Sequence, residues 1–115
     1  MIDRPDAETL LVAMAEALTR DVLPATKGAA THTARVVANL CSVLAREAQL
    51  GDAARTATRG ALAELLGRHD ALPELVRALD ERLREGDPAF EAEAHAVLLA
   101  DVRRRLAIDK PGYDA

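Results

Sequence analysis

Apolar residues return every three or four positions along most of this chain and nowhere alternate one by one, so the pattern predicts helices and no half-buried strand. Leu10, Leu11, Met14, Leu18 and Val22 mark a first helix. It starts near Pro5 or Asp6, since proline and an early acid suit a first turn, and Leu23-Pro24 ends or kinks it. Lys27-Gly28 supplies a turn. A second helix runs from Thr31, a candidate N-cap, to Leu50, with Gly51 as its stop signal and Val36, Val37, Leu40, Val43 and Leu44 as its apolar face. A third spans Ala53 to Leu66, carries Leu62, Leu65 and Leu66, is weakened by Gly60 and stops at Gly67. Asp70 or Leu72 opens a fourth, with Pro73 in its first turn and Leu75, Val76, Leu79 and Leu83 along one face, and Gly86-Asp87-Pro88 ends it. The fifth runs from Ala89 to Ala107 and turns Phe90, Ala94, Val97, Leu98, Val102 and Leu106 inward.

The expected fold is therefore all-α: a single compact bundle of about five helices, with short connections making most neighbours antiparallel. Residues 1–115 are one domain's worth of chain. Residues 108–115 are expected to form a short C-terminal tail, because Pro111 cannot continue a helix.

Composition sharpens this picture in two ways. Half the residues are hydrophobic but only 2% are aromatic, and the apolar content is mostly Ala and Leu, so the core should be thin, with helix axes close together. The net charge of −4 removes the basic field that drives non-specific nucleic-acid binding, so no nucleic-acid partner is expected. The one basic run, Arg103-Arg104-Arg105, falls in the last turn of the fifth predicted helix, where cations complement exposed carbonyls. A single cysteine, Cys41, lies between Leu40 and Leu44 on the helix and reads as a small buried hydrophobe. With no disulfide to form, no signal-like N-terminus and no apolar window approaching about 18 residues, the expectation is a cytoplasmic chain that makes no membrane contact.

Candidate chemistry is sparse. The Glu-x-x-His spacing of bundle metal sites is absent, as is a Gly-x-x-x-x-Gly-Lys-Ser/Thr phosphate loop, and Cys41 has no base near it on its helix. No catalytic residue, metal or cofactor is expected. What stands out is a polar stripe: at 100° per residue His32, Arg35, Asn39 and Arg46 fall within an arc of about 60°, and Glu47 adjoins it. An Asn in mid-helix costs several tenths of a kcal/mol against Ala, which points to a hydrogen-bonding duty for Asn39. The residues alone leave three readings of the stripe open: a solvated edge, a partner contact or a ligand contact. Tyr113, the only tyrosine, is either a frayed end or a hook that docks after Pro111-Gly112. His95 reads as partly buried, and Asp101 either pairs with Arg105 one turn on or faces Arg35 or Arg46 across a helix interface.

Taken together, Asp3-x-Pro5, His32-x-x-Arg35-Val36-x-x-Asn39, Arg46-Glu47 and the ending Leu106-Ala107-Ile108-Asp109-x-Pro111-x-Tyr113 resemble a family of small bacterial proteins catalogued mainly as a domain of unknown function. The resemblance spans nearly the whole chain. It implies a companion of an aminoglycoside-phosphotransferase-like kinase and an acyl-CoA dehydrogenase-like enzyme, a set associated with breakdown of 4-hydroxy acids through their CoA thioesters. The implied role is a noncatalytic accessory subunit of that kinase, which phosphorylates the 4-hydroxyl group. His32, Arg35, Asn39, Arg46, Glu47 and Tyr113 are then the partner- or ligand-binding candidates. The alternatives are a small-molecule module that takes an acyl-CoA type of ligand, with arginines meeting its phosphates, and a self-associating structural domain that forms a homo-oligomer.

Overall fold

The computed structural model describes residues 6–113, and all regular structure among them is helical. Asp6 caps helix α1 (Ala7–Ala17) by accepting from the Thr9 N–H at 2.9 Å, which satisfies one of the free donors of the first turn. The Pro5 alternative for this start lies outside the described residues. Pro24 has no N–H to give to the carbonyl four residues back. Before it the ladder widens into a π-helical stretch, Leu18–Val22, and then tightens into a 3-10 turn, Leu23–Ala25. The predicted end or kink is thus resolved as a change of helix type.

Gly28, at φ +64, turns the chain directly into α2 (Ala29–Leu66), and its carbonyl accepts from the N–H groups of Thr31 and His32. Thr31 is accordingly not the N-cap. Its hydroxyl pairs with that of Thr26 at 3.0 Å, inside a helix that begins two residues earlier. The larger correction is that the second and third predicted helices are one helix of 38 residues. Gly51 is buried within it and is not among the glycines with positive φ. A lone glycine costs a helix about 1 kcal/mol but does not end it unless the chain turns into the left-handed region. Gly67 does make that turn, at φ +67, and Arg68 N–H reaches back to the Ala63 carbonyl at 3.1 Å.

Helix α3 (Leu72–Leu83) has Pro73 in its first turn, and Gly86 at φ +72 follows its end. Helix α4 (Pro88–Asp109) starts on Pro88, with Asp87 accepting from the Ala89 N–H at 3.1 Å. It outruns its expected end at Ala107. Ile108, assigned to the tail by sequence, is helical and 0% exposed. The described residues therefore hold four α-helices, not about five.

Contacts gather into two units. One runs to Gly51 and includes Ile108–Lys110; the other comprises Asp52–Ala107 and the residues from Pro111 on. The second unit has a conventional aliphatic core of Leu62, Leu75, Leu79, Phe90 and Ala94, with Leu65, Leu66, Leu83 and Val97 packed against it. These are largely the residues that periodicity had turned inward, whereas Val76, Leu98 and Val102 are exposed. Arg82 lies over the Phe90 ring, 4.4 Å from its centroid, and also bonds Asp87 at 3.1 Å, joining the end of α3 to the start of α4.

The first unit inverts the expectation for α2. Its buried stripe is Ala34, Ala38, Cys41 and Ala45, while Val36, Val37, Leu40 and Leu44 of the predicted apolar face are exposed. Small side chains every three or four residues let a neighbouring helix come close, at the cost of little area covered. Cys41 is buried in that stripe, as a small hydrophobe. Two grooves separate α1 from this half of α2. Glu8 and Gln49 share one, and Thr19, Arg20 and Ser42 share the other, so the two helices run antiparallel.

Candidate functional site

The polar stripe divides between two environments. His32, Arg35 and Asn39 are exposed, and their side chains make no hydrogen bond or ion pair among the described residues. Arg46, two turns beyond Asn39, is half-buried and donates from Nε to the Ile108 carbonyl at 2.6 Å. That carbonyl belongs to the last turn of α4, where peptide oxygens lack intrahelical donors and a cation opposes the negative end of the helix dipole. Arg46 is thus an internal C-terminal clasp. Glu47 beside it is half-buried, with an interaction of its own. Tyr113 follows Gly112 in a turn, is 65% exposed and also has an interaction partner. It belongs to the second unit, whereas the stripe belongs to the first.

What remains as a solvent-facing row is His32, Arg35 and Asn39. Spacings of three and four residues place them one above the other on α2. The row offers an imidazole, a guanidinium with five N–H donors in a fixed fork and an amide that both donates and accepts. Such a set recognises carboxylates, phosphates and peptide groups by hydrogen bonding and contains no acid, base and nucleophile in mutual contact. Val36 and Leu40 flank it, and both are exposed.

Sequence reasoning missed a second polar cluster, in the other unit. Thr58 Oγ1 donates to Asp101 Oδ1 at 2.6 Å and accepts from an Arg104 terminal nitrogen at 2.9 Å. Asp101 thus accepts a hydrogen bond from a threonine on α2. Arg104, expected to neutralise the end of α4, sits more than a turn before it and is spent on Thr58, with its Nε buried and unpartnered. Residues 43 and 46 positions apart make these bonds, so no local spacing could have shown them. His95, expected to be partly buried, is exposed.

A concavity of about 1030 Å³ lies in the second unit between the end of α2 and the turn after it, lined by Thr56, Arg59, Gly60, Ala63, His69 and Asp70 among others. It is wide open and mixes both signs of charge. Among the described residues no group of three or more His, Cys, Asp or Glu is placed to hold a metal ion, and no helix is long and apolar enough to cross a membrane.

Over the described residues the chain is all-α, and three of its candidate residues, His32, Arg35 and Asn39, stand along an exposed helix edge. The chain belongs to the family described as a domain of unknown function, DUF6285, whose model matches residues 24–113. No curated protein and no solved structure matches the chain.

Proposed function

We propose that this chain is a noncatalytic interaction subunit and that His32, Arg35 and Asn39 form its hydrogen-bonding contact with a partner protein. The observation that carries the reading is that three polar side chains in one row of a regular helix are exposed and have no partner among the described residues, while the fourth member of the stripe is committed to the fold. Holding such donors on a helix rather than a loop lowers the entropy lost when they engage. The partner implied by the resemblance is an aminoglycoside-phosphotransferase-like kinase that phosphorylates the 4-hydroxyl group of a 4-hydroxyacyl-CoA. In that assembly this chain braces the kinase or completes its acceptor pocket, and bond-making belongs to the kinase.

Coexpression with a kinase of that class, followed by size-exclusion chromatography, tests the reading. One peak containing both chains is expected, and it should split into two when Arg35→Ala and Asn39→Ala are combined. Two separate peaks for the unmodified pair at micromolar concentration would reject the partnership.

A further inference from the structure

Among the described residues of the first unit the only large apolar side chain that is fully covered is Ile108. Leu10 and Met14 on α1 and Val36, Val37, Leu40 and Leu44 on α2 are instead 38% to 53% exposed. They form one surface. At 100° per residue Leu10 and Met14 lie within about 40° of each other on α1, and the four α2 residues span about 100°. The grooves shared by Glu8, Glu16, Ser42 and Arg46 mark the opposite flank of this antiparallel pair. Turning away from that flank brings both aliphatic arcs to the same side.

We propose that a second copy of this chain covers this face, the two copies meeting α2 against α2 about a two-fold axis. Area is the first argument. Six half-exposed aliphatic side chains offer on the order of 300 Å² of apolar surface per protomer, taking the transfer energy of such side chains at 25 cal/mol per Å². An interface of standard size covers about 800 Å² per partner, a little over half of it apolar, so the face supplies the larger share of the dry part of one stable contact. Charge is the second. A two-fold axis sets like against like, and a charged face would repel its own copy. Between Ala7 and Ala17 the α1 arc carries only apolar side chains, and on α2 the arc meets its one charge at Glu47, beyond Leu44. Spacing is the third: Val37, Leu40 and Leu44 follow the three-then-four step of a helix-pairing seam, with polar Thr33 and Glu47 one step beyond either end. The row of His32, Arg35 and Asn39 lies about 100° or more round the helix from the middle of that seam, so self-pairing leaves the proposed heterologous contact open.

Sedimentation equilibrium of the full chain alone tests this. At about 100 μM, far above a micromolar dissociation constant, the mass should be twice 12.3 kDa. Leu40→Glu and Leu44→Glu should weaken the dimer more than tenfold while far-UV circular dichroism stays helical. Leu40→Ala serves the same purpose should a glutamate unfold the chain. A wild-type monomer at that concentration overturns the proposal, as does a dimer that survives all three substitutions. Loss of kinase binding by Leu40→Glu in a chain that is monomeric to begin with would also overturn it, because the face would then belong to another protein. Arg35→Ala is expected to leave the dimer intact, which separates failure of this inference from failure of the kinase partnership.

Discussion

Arg46 and Arg35 are three turns apart on one helix and lie within about 20° of each other in rotation, yet they do different work. Arg35 reaches solvent, and Arg35→Ala should change stability by less than about 0.5 kcal/mol, as surface substitutions do. Arg46→Ala removes the donor from the Ile108 carbonyl and the cation from the end of α4, so a loss of about 1–2 kcal/mol is expected. Urea unfolding of the two variants side by side checks the contrast; equal midpoints would show that the clasp carries no load. The stripe itself was legible, because helical rotation follows from spacing. The division within it was not, because the group that recruits Arg46 lies 62 residues away. The same distance problem hid Thr58, which carries no mark of its role until α4 lays Asp101 and Arg104 beside it.

At the scale of elements, glycine shows how one residue type gives opposite outcomes. Gly60 sits inside α2 with no positive φ, and a Cβ built there meets nothing within 4 Å. Gly60→Ala should therefore stabilise the chain by about 0.5–1 kcal/mol, through the lower entropy of the unfolded state. At Gly67 the space is equally open, but φ is +67, and Gly67→Ala should cost about 1–2 kcal/mol. Thermal melts of both variants, moving in opposite directions from wild type, are the check. The start and end of α3 and the core face shared by Leu75 and Leu79 followed from local signals, since Pro73, Gly86 and a 3.6-residue period act within a turn or two. The fusion of two predicted helices across Gly51 did not, because glycine stops a helix only when its φ is released to the left-handed region, and surrounding contacts decide that.

For the whole molecule, the pH dependence of stability brings together two caps from different parts of the chain. The Thr9 N–H holds the Asp6 carboxyl below its ordinary value, and the Arg82 guanidinium, followed by the Ala89 N–H, does the same for Asp87. A carboxyl whose folded value is depressed contributes stability that is fully present above its unfolded value, about 3.9, and is lost as pH falls through the folded one. The melting temperature should thus fall as pH is lowered from 5 toward 2, and Asp6→Asn and Asp87→Asn should each flatten that fall. A parallel acid limb in all three proteins would reject the assignment. Helical class, the near absence of aromatic packing, the boundaries of α3 and a polar stripe on α2 were all determined by the sequence alone, because backbone propensity, turn chemistry and rotation act over a few residues. Tertiary structure alone decided which apolar face of α2 is buried. Close helix packing selected the alanine stripe over the valine and leucine face beside it, since two helix axes can approach only where side chains are small, and that choice left the larger side chains outside.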